Sequence, residues 1–147
     1  MDNEVKRQRD AFLADASRRA SGRFRGTDFS RAINFLISWS DDTSRGLDAR
    51  TPGAQRTVAF GPGGKRSVLW AAYPRLGDGA KISVLPGRFR QLSTSDRNTL
   101  IAQSDLIAPE ARAGRSGKLE LPLFNFSSDP ALKGLGVLLD LARVHVG

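Results

Sequence analysis

The chain has no cysteine, and only one methionine, one tyrosine and one histidine among its 147 residues. The missing thiols exclude disulfides, cysteine-based zinc sites and thiol nucleophiles. With His145 as the lone imidazole, metal sites built on two or three histidines are excluded too. A triad base must be buried and oriented, which the place of His145 near a helix C-terminus argues against; a cation there is ordinary dipole chemistry. No apolar run approaches the roughly 18 residues of a membrane span, so no membrane partner is expected. The opening residues, Met1-Asp2-Asn3-Glu4, are charged where a secretory leader is apolar, and a cytoplasmic location is the expectation.

Acidic residues are also scarce, 15 against 23 Lys/Arg, for a net charge of +8. The imbalance is local. Residues 43–118 hold thirteen of the basic and five of the acidic residues, and the charges of the remaining segments cancel one another. A field of this sign attracts polyanions, of which nucleic acid is the commonest. Eighteen of the basic residues are Arg. Arg suits phosphate and base contacts because its planar fork donates bidentately, but a GC-rich genome produces the same bias without function.

The apolar fraction of 39% and mean hydropathy of −0.33 fit a globular chain large enough to bury its own core. Residues 1–26 read as an N-terminal basic helix and loop, and 27–147 as a single α+β domain. Val5, Phe12, Leu13, Ala16 and Ala20 give the stretch 3–20 a weak helical stripe, interrupted by Arg9. Thr27 is a candidate N-cap for a second helix, in which Phe29, Ala32, Ile33, Leu36 and Ile37 fall at i, i+3, i+4, i+7 and i+8. The polar segment 40–53 reads as a loop.

Three strands are expected next, over 55–60, 67–73 and 80–85, joined by Gly- and Pro-rich turns into an antiparallel meander. Trp70 and Tyr73 point to opposite faces of the middle strand. One belongs in the core, and the other lines an exposed face that small alanines make shallow. Ser93 and Asp96 have the spacing of a capping-box variant, starting a helix that runs to about Ala108. Residues 110–117 read as a loop. Alternation over 118–123 gives a fourth strand, which Pro122 places at an edge. Asp129-Pro130 opens a last helix with the stripe Leu132, Leu135, Leu138, Leu139 and Ala142; Gly134 and Gly136 inside it signal close packing on another element. The order ααβββαβα predicts an antiparallel sheet of about four strands with helices mainly on one face.

Three patterns bear on function. Gly61-Pro62-Gly63-Gly64-Lys65-Arg66-Ser67 resembles a phosphate loop only at first sight. The leading glycine of that pattern is Ala59 here, and strand rather than helix follows, so a hairpin tip is the better reading. Gly22-Arg23-Phe24-Arg25 recurs as Gly87-Arg88-Phe89-Arg90. An aromatic ring between two guanidinium groups stacks a base while the charges hold its backbone; the alternative is a buried ring with snorkelling arginines. Lys118-Leu119-Glu120 reverses the acid-then-lysine order of a nuclease strand, and reads as a solvated face.

No catalytic residue, metal ligand or cofactor is implied. The leading expectation is a non-enzymatic nucleic-acid-binding or nucleoprotein accessory domain, with weak sequence specificity, presenting Arg56, Lys65, Arg66, Arg75, Lys81, Arg88, Phe89 and Arg90. The alternative is a protein-binding module, an inhibitor or assembly subunit, whose basic face meets an acidic protein partner. A metal-independent enzyme acting on an anionic substrate ranks third. Self-association into a homo-oligomer is expected through the stripe of 3–20 or the second face of 67–73.

Overall fold

The computed structural model describes residues 3–19, 26–50, 57–74, 81–108, 117–123 and 128–146. Among these residues, four helices, α1 (Asn3–Arg19), α2 (Gly26–Asp41), α3 (Thr94–Ile107) and α4 (Asp129–Arg143), accompany five strands: β1 (Leu47–Ala49), β2 (Val58–Pro62), β3 (Trp70–Tyr73), β4 (Lys81–Val84) and β5 (Leu119–Pro122). The strands form one antiparallel sheet in the order β1-β2-β3-β4-β5. The α+β class is as the residue pattern predicts. The strand count is not: β1 lies inside the segment expected to be a loop.

That segment orders itself through local hydrogen bonds, and its alternation, Leu47-Asp48-Ala49, is too short to mark a strand. Asp42 caps a short 3₁₀ turn, Thr43–Arg45, accepting from the Ser44 backbone N–H at 3.0 Å and from its hydroxyl at 2.8 Å. These bonds, the backbone one first, and then the Arg45 guanidinium hold the Asp42 carboxyl below its usual range. Arg45 stacks over Trp39, 4.3 Å from the ring centroid, and closes the end of α2. Gly46, at φ 62°, then turns the chain into β1.

One face of the sheet is fully apolar. The register aligns Val58, Ala72, Ile82 and Leu121 in one row and Phe60, Trp70, Val84 and Leu119 in the next, all essentially inaccessible. Phe60 and Trp70 stack with centroids 5.5 Å apart. The helical stripes predicted for α2 and α4 belong to the same core, with Leu36, Leu135 and Leu139 at 0% exposure. A buried polar contact ties helix to sheet: the Trp70 indole donates to the Ser40 hydroxyl at 2.8 Å. The two glycines of α4 mark its crossings. A Cβ at Gly134 would meet Ile107 of α3, and one at Gly136 would meet Phe35 and Trp39 of α2.

Several boundaries move for identifiable reasons. The N-cap of α4 is Ser128, whose hydroxyl accepts from the Ala131 N–H, so Asp129 is already helical. Thr27 lies inside α2. β3 begins at Trp70 rather than Ser67, because the Ser67 carbonyl accepts from the Arg50 guanidinium. β4 stops at Val84, because Leu85 adopts φ 51°. Ser93 caps α3 as expected, accepting from the Asp96 N–H.

Of the two faces expected to drive self-association, the stripe of α1 is buried within the chain. Val5, Phe12 and Ala16 of α1 are buried in the common core, and Arg9 donates to Asn34 of α2. On the second face of β3, Ala71 is buried and Tyr73 half-buried. Among the described residues, no helix is long and apolar enough to cross a membrane.

Candidate functional site

The meander brings several basic residues to one end of the sheet. The row Phe60, Trp70, Val84, Leu119 is the last full row before the strands separate. Beyond it lie the β2–β3 turn with Lys65 and Arg66, the segment after β4 with Arg88 and Arg90, and the entry to β5 with Lys118. All five side chains are exposed, and none forms an ion pair with a described carboxylate. Other arginines are spent locally: Arg9 on Asp10, Arg18 on Asp15, Arg31 on Asp129, Arg45 on Asp42 and Arg143 on Asp140. Lys81 pairs with Tyr73 and Pro122 at the opposite end, half-buried on the second face. Arg56 and Arg75 lie outside the described residues, as do residues 22–25, the first copy of the repeated motif.

Phe89 requires a correction. It is 2% exposed and part of the core, so its ring is not available to stack a base. Leu85 causes this. Its left-handed conformation ends β4, and its carbonyl accepts from the N–H groups of both Arg88 and Phe89, winding Phe89–Gln91 into a 3₁₀ turn. The turn drives Phe89 inward and leaves the flanking arginines outside.

The β2–β3 turn is held by a residue that charge alone would assign to phosphate binding. Nη2 of Arg50 donates to the carbonyls of Pro62, Lys65 and Ser67, each at 2.8 Å. The guanidinium occupies space that a side chain at position 61 would fill: a Cβ on Gly61 would sit 2.5 Å from it and 2.1 Å from the Ser67 oxygen. Arg50 thus fixes the hairpin that carries Lys65 and Arg66.

On the second face, a cleft of about 440 Å³ opens where β4 and β5 part. Its walls include Tyr73, Ser83 and Glu120 from the strands, Leu85–Gly87 and Phe89 after β4, and Gly117 and Lys118 before β5. Gly87 and Gly117, at φ 74° and 73°, form its rim, and a Cβ on Gly117 would lie 3.5 Å from Arg90 Cβ. Burial, and secondarily the Glu120 charge, push the Tyr73 hydroxyl above its usual range. Glu120 and Lys118, read from the sequence as a solvated face, therefore belong to a concave site. Alternation along each strand already puts Tyr73, Ser83 and Glu120 on alternate faces; the missing signal was the register that makes those faces the same one.

Neither the family models, nor the curated proteins, nor the solved structures compared with this chain give a match.

Proposed function

We propose that this chain is a non-enzymatic nucleic-acid-binding domain whose contacts are mainly to the phosphate backbone. The observation that supports this reading is the grouping of Lys65, Arg66, Arg88, Arg90 and Lys118 at one end of the sheet, exposed and without a described carboxylate partner. A cluster of unpaired cations costs self-repulsion unless an anion meets it, and a phosphate chain supplies anions at regular spacing. With Phe89 in the core, the Arg-Phe-Arg motif contributes charge and no stacking, which favours backbone contacts over sequence readout at that position.

The test is binding of duplex and single-stranded oligonucleotides, followed by anisotropy at several salt concentrations. Affinity is expected to fall steeply with salt. Lys65→Ala with Arg66→Ala, and separately Arg88→Ala with Arg90→Ala, are expected to reduce the log–log salt slope by about one unit per lost phosphate contact and to weaken all sequences alike. Absence of binding to every nucleic acid at low salt overturns the reading. An acidic protein partner then becomes the better one, since α4 and its C-cap residue expose Val137, Leu141 and Val144 at i, i+4 and i+7, an apolar stripe that a protein covers and a polyanion does not.

A further inference from the structure

The cleft between β4 and β5 is not explained by backbone contacts. A site built only for phosphate would not place a carboxylate in its wall, because the like charge repels the ligand. Here Glu120 lines the cleft while Lys118 shares its wall and Arg88 and Arg90 flank it. A carboxylate is acceptor-only and carries two oxygens, so its natural partner is a group with two adjacent donors. Tyr73 lends a half-exposed aromatic surface, and Ser83, paired with Glu120 across the strands, adds a hydroxyl. An anionic ligand that is also flat and carries paired donors fits this combination.

We propose that the cleft receives a single unpaired guanine base of a bound strand, Glu120 accepting from its N1–H and exocyclic amino group while the neighbouring cations hold the adjoining phosphates. The assignment rests on the nucleic-acid reading above and adds base recognition to it. Guanine alone among the common bases offers two adjacent donors on its Watson–Crick edge. Adenine and cytosine place one amino group beside an acceptor nitrogen, which repels the second carboxylate oxygen, and uracil flanks its single N–H with two carbonyls. An arginine side chain offers the same donor pair but brings positive charge into a rim of cations. The volume, about 440 Å³, lies within the range of small-ligand sites, roughly 300–1,000 Å³. The raised Tyr73 hydroxyl, neutral at physiological pH, adds no opposing charge.

The experiment is a titration of the whole chain with the 5′-monophosphates of guanosine, adenosine, cytidine and uridine, followed by amide NMR shifts. The guanosine nucleotide is expected to bind at least tenfold more tightly than the others and to move the amides of Ser83, Gly87, Gly117 and Glu120. Glu120→Gln is expected to bring the four nucleotides within about twofold of one another while leaving the salt slope for duplex DNA unchanged. Tyr73→Leu is expected to weaken all four, and Tyr73→Phe to preserve the selectivity. Lys65→Ala with Arg66→Ala is expected to do the reverse, lowering duplex affinity and sparing the guanosine preference. Equal binding of the four nucleotides, shifts confined to other residues, or an undiminished preference in Glu120→Gln overturns the cleft assignment. Absence of guanosine selectivity in the unsubstituted chain, with duplex binding intact, overturns the cleft alone; selectivity without any polymer binding overturns the wider reading and leaves a mononucleotide site.

Discussion

Arg50→Lys separates charge from geometry. The substitution keeps the net charge of +8, so any effect comes from loss of the planar fork. In the native hairpin the guanidinium holds three carbonyls, those of Pro62, Lys65 and Ser67, each at 2.8 Å. Hydrogen bonds to a charged donor contribute about 1.5–3 kcal/mol each. One nitrogen serves all three acceptors with two hydrogens, and the Lys65 carbonyl lies in an exposed turn where water replaces the lost donor. The expected loss is therefore about 2–4 kcal/mol rather than the full sum. For a chain of this size that lowers the midpoint of thermal unfolding by about 4–16 °C. Urea unfolding at constant m-value reads the loss directly, and exchange of the Gly63 and Lys65 amides reads the loosening of the turn. Gly61→Ala is expected to reproduce the phenotype, because its Cβ would lie 2.1 Å from a backbone oxygen that cannot swing aside. Both variants should also weaken polyanion binding, since Lys65 and Arg66 lose their fixed position. A loss below about 0.5 kcal/mol in Arg50→Lys would refute the clamp, as an ordinary surface substitution costs no more.

Three further outcomes test other parts of the structure. Leu36→Ala, at a position with no exposure, should cost about 2–5 kcal/mol in urea unfolding, and a cost below about 0.5 kcal/mol would show that α2 is not core. Ser40→Ala leaves the Trp70 indole N–H buried without its acceptor and should cost about 1–3 kcal/mol, whereas an unchanged stability would mean that the 2.8 Å contact contributes nothing. Tyr73 is the only tyrosine, so ultraviolet titration reads it cleanly: its midpoint should lie above 10.0, Glu120→Gln should lower it only partway because burial is the larger cause, and stability should decline as pH rises from the unfolded-state value through the folded one. A midpoint at or below 10.0 would show that neither burial nor the Glu120 charge acts on the hydroxyl.

What the sequence by itself determined is whatever repeats at a local period. The i, i+3, i+4, i+7 spacing from Phe29 to Ile37, the Ser93 cap, the stripe of α4 and the alternation of 118–123 each report a face within one element, and the structure buries those faces. Gly134 and Gly136 announced close crossings because a helix interior tolerates two glycines only when a neighbour uses the space. Only tertiary structure decided the rest. β1 exists because β2 offers it a partner; the alternation Leu47-Asp48-Ala49 is too short to mark a strand by itself. Arg50 became a structural clamp because Gly61 leaves room for its guanidinium across a strand pair. Phe89 went inward because Leu85 turned the chain at φ 51°, a conformation that side-chain type does not forecast. The cleft joins Tyr73, Ser83 and Glu120 through register, and register depends on where strands meet across long separations in the chain, which no local period encodes.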